Sequence, residues 1–216
     1  MTIRVLLADD HRLLREGLRR ILEGTEGIEV VGEAEDGRAA LAAVARFRPD
    51  VVVMDVGMPG LNGIDATRLV RREHPTVRVV ALSMHTDKRY VRNMIGAGAA
   101  AYVLKESASE DLLRAVRAAA NGEHYLSPQI TGLLFENWNA PRDVSSSTAY
   151  ELLGPREREV LKLLSEGKTS KEIAAELALS AKTVETHRRN ITQKVGLHSV
   201  AELTKYAVRE GLTELD

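Results

Sequence analysis

The chain has 216 residues, of which 44% are hydrophobic and 28% charged, an ordinary globular mixture; at about 100–200 residues per domain this is one large domain or two small ones. Aromatics are only 4% and cysteine is absent, so the cores are aliphatic, and disulfides, zinc–thiolate sites, iron–sulfur clusters and cysteine nucleophiles are excluded. Thirty Lys and Arg face 31 Asp and Glu, so no global charge draws the chain to nucleic acid or to a membrane. The first apolar run is too short for a signal peptide and none approaches a spanning helix, which makes a soluble, cytoplasmic protein without a membrane partner the expectation.

Short apolar, β-branched runs at 3–8, 28–34, 51–54, 77–82 and 101–104 have strand length. Between and after them lie segments with helical spacing: Leu14, Leu18, Ile21 and Leu22, then 39–47, 64–70, 89–95 and 112–119. Five strand-then-helix repeats predict an α/β domain over 1–122, a five-stranded parallel, doubly wound sheet with helices on both faces. Most of the runs are apolar throughout, as strands covered on both sides are. From 123 to 150 the pattern breaks. Ser127-Pro128 opens a short helix carrying Leu133, Leu134, Phe135 and Trp138, and the polar, Ser-rich 141–148 reads as a linker.

Residues 151–216 read as a small all-α domain of four helices. Pro155 suits a first helical position. Thr169-Ser170-Lys171-Glu172 and Ser199-Val200-Ala201-Glu202 are capping boxes. Ser180 caps another start, and Gly167 and Gly196 stand where helices end.

In a parallel sheet, ligands bind at the carboxyl ends of the strands. Asp9 and Asp10 follow the first strand, Asp55 the third and Lys105 the fifth, while Ser83 ends the fourth. Three carboxylates on one rim raise one another's pKa unless a cation sits among them, and Mg²⁺ suits such an oxygen-rich site. Metal, hydroxyl and ammonium together describe a place for a phosphoryl group. Singly, each residue has a plainer reading, Asp9 or Asp10 as a cap for the helix near His11 and Lys105 as a solvated strand end. Their coincidence on four strand ends favours the site.

The set Leu7-Ala8-Asp9-Asp10-His11, Val53-Met54-Asp55-Val56-Gly57-Met58-Pro59-Gly60, Leu82-Ser83 and Tyr102-Val103-Leu104-Lys105 resembles a two-component receiver domain. The resemblance implies that Asp55 accepts a phosphoryl group from a phosphohistidine of a sensor histidine kinase. It also implies that Asp10, Asp55 and the Gly57 carbonyl bind Mg²⁺ directly and Asp9 through water. Lys105 would pair with the phosphoryl oxygens, Ser83 would swing toward them, and Tyr102 would turn inward behind it. Many relatives carry a longer side chain where this chain has Gly57, which bears on the lifetime of the phosphate, as does His85.

Within 171–184, Ile173, Leu177, Leu179 and Val184 have helix-turn-helix spacing, with small Ala174 and Ala178 at the crossing. The following helix, 181–195, carries Lys182, Arg188, Arg189 and Lys194 against a single Glu185, a net +3 in a domain with eleven residues of each sign. A basic helix on a neutral domain suits the major groove, and it also fits an ordinary solvated face. Leu153-Gly154-Pro155-Arg156-Glu157, Thr169-Ser170-Lys171-Glu172-Ile173-Ala174 and Ser180-Ala181-Lys182-Thr183-Val184-Glu185-Thr186-His187 are similar to the LuxR-type DNA-binding domain. With the receiver, the chain resembles a NarL/FixJ-family response regulator. That implies contacts to double-stranded promoter DNA from Lys182, Thr183, Val184, Glu185 and Thr186, with Arg188 and Arg189 on phosphates. It further implies a homodimer on phosphorylation through the last helix, read here as the stripe Val200, Leu203 and Ala207, with RNA polymerase as a further partner.

The expected function is a phosphorylation-controlled transcription factor, not an enzyme. Two rivals stand beside it. A Mg²⁺-dependent aspartyl-phosphate phosphatase would also place a carboxylate nucleophile at a strand end, although the D-x-D of the haloacid-dehalogenase type is replaced by adjacent Asp9-Asp10. A receiver whose output binds protein or RNA would bind duplex DNA without dependence on Lys182 and Arg188.

Overall fold

A computed structural model of the chain describes residues 2–135 and 149–213, in two compact units that divide between residues 140 and 141. The first unit runs β1 (Ile3–Ala8), α1 (Arg12–Glu23), β2 (Ile28–Ala34), α2 (Gly37–Phe47), β3 (Val51–Asp55), α3 (Gly63–Glu73), β4 (Arg78–Ser83), α4 (Lys88–Gly96), β5 (Ala101–Leu104), a single 3-10 turn (Lys105–Ser107), α5 (Ala108–Ala120), β6 (Tyr125–Leu126) and α6 (Pro128–Phe135). The sheet is parallel, in the order β2-β1-β3-β4-β5-β6.

It has six strands rather than five, and it continues past residue 122. The sixth consists of Tyr125 and Leu126, paired with Ala101 and Tyr102. Two residues are too few to show a period, which is why the pattern of apolar residues misses them. The Ser-rich stretch 141–148 and Trp138 lie outside the described residues.

Side-chain alternation divides each strand between two helical layers. Val5, Leu7, Val51, Val53, Val80 and Leu82 face one way and share a core with Leu18 and Leu22 of α1 and Leu112 and Val116 of α5. Leu6, Val52, Met54, Val79 and Tyr102 face the other way, toward the layer of α2, α3 and α4. Full burial of each such aliphatic side chain contributes about 1.5–3 kcal/mol, so every central strand is anchored on both sides. The chain turns one way from β1 to β2 and the other way to β3. The crevice between the carboxyl ends of β1 and β3 is therefore the topological switch point.

The second unit contains α7 (Ala149–Leu152), α8 (Pro155–Ser165), α9 (Ser170–Glu176), α10 (Ala181–Val195) and α11 (Val200–Arg209). A short helix thus precedes the four expected ones. α8 packs against α9, α10 and α11 through buried Val160, Leu161, Ile173, Val184, Ile191 and Leu203. Thr169 with Glu172, and Ser199 with Glu202, form reciprocal caps, and Ser180 accepts from the Thr183 amide at 3.0 Å. Each such cap stabilises by about 1 kcal/mol. At Gly154 only half of this arrangement exists, Glu157 accepting from the Gly154 amide at 2.8 Å.

Candidate functional site

β3 runs one residue further than its apolar run, so Asp55 closes the strand instead of following it. Its register puts Met54 beside Ala8 of β1 and Asp55 beside Leu82 of β4, which brings Asp9, Asp55 and Ser83 to one rim. α3 begins directly against the end of β3. A Cβ on Gly63 would stand 1.9 Å from the Asp55 carbonyl oxygen, so only glycine lets the helix start that close.

Lys105 opens the 3-10 turn directly after β5, two strands from Asp55, about 10 Å away at the usual strand spacing, and its long stem spans the gap. The Nζ lies 2.8 Å from Asp55 Oδ2 and 2.9 Å from Asp9 Oδ2, with Lys105 and both carboxylates almost fully buried. Apart from this ion pair, the buried Asp9 Oδ2 has no hydrogen-bond donor among the described residues, and a carboxylate oxygen with one close cation keeps acceptor capacity. Gly57 donates its amide to Asp55 Oδ1 at 3.1 Å. The other Asp9 oxygen accepts from the His11 amide at 2.8 Å.

Burial pushes the Asp55 carboxyl above its ordinary value, opposed by the Lys105 ammonium and the Gly57 amide and reinforced by Asp10. Burial pulls Lys105 down, but Asp55 and Asp9 outweigh it and hold the ammonium above its usual range. Three carboxylates against one ammonium leave the rim short of positive charge. Asp9, Asp10, His11 and Asp55 offer ligand atoms that all lie within 4.8 Å of one another. A hard cation fits that oxygen-rich donor set.

His11 belongs to the cluster, although its place in the sequence marks only a helix start. Its Nδ1 is 2.9 Å from Asp10 Oδ1 and 3.3 Å from Asp9 Oδ1. Adjacency to Asp9-Asp10 is the only signal the sequence holds for it. Ser83 is buried, and its Oγ accepts from the His85 amide at 3.0 Å. Tyr102 is wholly inside. Its hydroxyl donates to the His85 carbonyl at 2.8 Å, and burial raises its pKa.

On the second unit, α9, a turn and α10 form the helix-turn-helix. Lys182, Glu185, Thr186 and Arg189 are exposed, while Thr183 and Arg188 are half-buried. Val184 is completely buried. The expectation that it touches a base is therefore corrected, because its side chain is spent on the core between the helices. Arg188 is engaged, donating to Ser170 Oγ and to Glu185 Oε1, each at 3.0 Å. Ser170 also donates to Glu185 Oε1 at 2.5 Å, a pairing across fifteen residues that no motif in the sequence marks.

The expected dimer stripe needs a second correction. Leu203 is 4% exposed and Ala207 is fully buried, whereas Val200 is 47% exposed. Leu203 and Ala207 pack α11 onto its own unit and have no surface left for a partner.

The model of the response regulator receiver domain matches residues 5–117, and that of the luxR family of bacterial regulatory proteins matches residues 151–207. The transcriptional regulatory protein MctR of Rhizobium johnstonii is 39% identical over 97% of this chain and 95% of its own length. The oxygen regulatory protein NreC of Staphylococcus epidermidis is 38% identical over 98% of this chain and 100% of its own. Among solved structures, RcsB of Salmonella enterica serovar Typhimurium, bound to the rprA promoter with a phosphomimetic beryllofluoride, is 27% identical with a TM-score of 0.62. That match covers 95% of this chain and 98% of RcsB.

Proposed function

The chain belongs to the two-component response regulators that join a receiver domain to a luxR-type DNA-binding domain and regulate transcription, and on that footing we propose that Asp55 is the phosphoryl acceptor. The observation that carries this reading is the Lys105 ammonium, buried at 2.8 Å from Asp55 Oδ2 and 2.9 Å from Asp9 Oδ2.

The donor is the phosphohistidine of a sensor histidine kinase. A carboxylate oxygen of Asp55 forms a bond to phosphorus as the phosphorus–nitrogen bond of the donor breaks, and the electron pair returns to the imidazole. Lys105 opposes the rise that burial imposes on the Asp55 carboxyl, favouring the ionised form that attacks, and then pairs with a phosphoryl oxygen. Ser83 turns its hydroxyl from the His85 amide to the phosphoryl group, and Tyr102 supports that loop from beneath. Asp9, Asp10, Asp55 and the Gly57 carbonyl would hold Mg²⁺, which supplies neutralisation of charge on the phosphoryl oxygens. The rest of the catalysis is positioning.

Phosphorylation favours a homodimer on promoter DNA in the cytoplasm. α10 enters the major groove with Lys182, Thr183, Glu185 and Thr186 toward the bases and Arg188 and Arg189 toward phosphates. The exposed side of α11, with Val200 at its start, offers the partner face, and RNA polymerase is the further partner. No helix among the described residues is long and apolar enough to cross a membrane.

The test is mass spectrometry after incubation with a small acyl phosphate and Mg²⁺. One added phosphoryl group is expected, absent from Asp55→Asn. Full labelling of that variant overturns the assignment.

A further inference from the structure

One buried carboxylate outside the acidic rim ties the Lys105 turn to the helix that leaves the sheet. Asp111, on the first turns of α5, is 5% exposed and accepts three hydroxyls. These come from Ser107 at 2.9 Å, Ser127 at 2.7 Å and Tyr125 at 2.6 Å. Ser107 closes the 3-10 turn that begins with Lys105. Tyr125 starts β6, and Ser127 immediately precedes α6.

Ser127 is tied to β5 as well. Its Oγ accepts from the Leu104 amide at 3.4 Å, and its own amide donates to the Tyr102 carbonyl at 3.0 Å. Its carbonyl accepts from the Ile130 and Thr131 amides at 2.9 and 3.1 Å, which forms the first turn of α6. Lys105 is thus bracketed, with Leu104 held by Ser127 on one side and Ser107 held by Asp111 on the other. A buried carboxylate with three donors has no cheap alternative arrangement, since any hydroxyl that leaves exposes an unpaired charge.

We propose that Asp111 is a positioning residue for Lys105 and that the Asp111–Ser127 bond couples the state of the phosphoryl site to the start of α6. The proposal rests on the reading of Asp55 as acceptor. By reciprocity, if occupancy of Asp55 alters the turn at Ser127, then cutting the tie at Ser127 alters affinity at Asp55, although Ser127 touches nothing there.

The experiment uses the full chain with Mg²⁺ and beryllofluoride, in the wild type, Asp111→Asn and Ser127→Ala. Fluorine NMR reads occupancy, hydrogen exchange reads the Ile130 and Thr131 amides, and unfolding curves verify that each variant is folded. Wild-type beryllofluoride binding is expected to change exchange at those two amides by about threefold or more. Both variants are expected to bind beryllofluoride about three- to tenfold more weakly and to lose that exchange response, with Mg²⁺ affinity unchanged. If only Ser127→Ala folds, it decides alone. A bound fluorine signal with no exchange response in the wild type overturns this proposal, as does unchanged beryllofluoride affinity in the variants or an equal loss of Mg²⁺ affinity. No bound fluorine signal in the wild type overturns the acceptor reading and this proposal with it.

Discussion

Tyr102 donates its hydroxyl to the backbone carbonyl of His85 at 2.8 Å, which fixes a buried ring of β5 beneath the loop that follows Ser83. The His85 ring stacks on Tyr90 of α4 with centroids 3.9 Å apart and planes 8° from parallel. Strand, loop and helix are therefore joined beside Asp55. Tyr102→Phe keeps the ring and removes one hydrogen bond. It is expected to cost about 1 kcal/mol in urea unfolding, with the loop's amides exchanging faster. No change in either measurement would mean that the hydroxyl does not hold the loop.

The turn between α9 and α10 is strained at Ala178, whose φ is +53°. The Leu179 amide reaches back to the Ala174 carbonyl at 2.8 Å, the closure of a Schellman motif, which places Ala178 where glycine is favoured. Ala178→Gly is expected to raise stability by about 0.5–1 kcal/mol, the relief of left-handed strain less the entropy that glycine loses. Thermal unfolding of the full chain, followed through the transition of the second unit, checks the sign.

Burial separates the two readings of α11. Leu203→Glu places a charge inside the bundle and is expected to cost about 3 kcal/mol or more, so any loss of DNA binding would follow from unfolding. Val200→Glu changes an exposed position. It is expected to leave the unfolding midpoint nearly unchanged and to weaken pairing on DNA in sedimentation. Unchanged pairing for Val200→Glu removes Val200 from the interface.

Exposed Arg189 and engaged Arg188 lie on the same basic helix. Removal of one phosphate-binding arginine is expected to lower the slope of log affinity against log salt by about 0.9, so Arg188→Ala and Arg189→Ala weaken all sequences alike. Lys182→Ala instead relaxes preference at particular base pairs, by about 1–3 kcal/mol for a bidentate hydrogen bond to a base. Titrations at several salt concentrations distinguish the two effects, and an unchanged slope for both arginine variants places that face in solvent.

Asp111 sets an acid limit on the first unit. Burial pushes its carboxyl up, but hydrogen bonds from Ser127, Tyr125 and Ser107 outweigh this, and the net direction is down. A carboxyl lower in the folded than in the unfolded chain contributes stability that is full above the unfolded value, near 3.9. That contribution fades as pH falls through the folded value below it. The stability gap between wild type and Asp111→Asn is therefore expected to narrow from about pH 5 to pH 2. Urea unfolding at each pH measures it, and a constant gap would show that the carboxylate is not favoured by folding.

Strands, helices and the acidic rim are legible in the linear chain because each leaves a local trace. Apolar runs mark β1 to β5, and parallel strands bring their carboxyl ends together whatever the intervening helices contain, so Asp9, Asp55, Ser83 and Lys105 can be gathered before any coordinates. Capping boxes at Thr169 and Ser199 are equally plain, since the hydroxyl and carboxylate that pair are three residues apart. Tertiary packing alone decides the rest. β6 is two residues long and pairs through backbone atoms, which have no residue-specific signature. Val200, Leu203 and Ala207 look like one stripe in sequence, yet the packing of α11 onto its own unit, chiefly α8, buries two of them and leaves the third in water. The tie of Ser107, Tyr125 and Ser127 to Asp111 joins residues up to 16 positions apart. Which hydroxyls reach one carboxylate depends on how α5 packs against β5, β6 and the turn that precedes it, and that geometry is not written in any short window of the sequence.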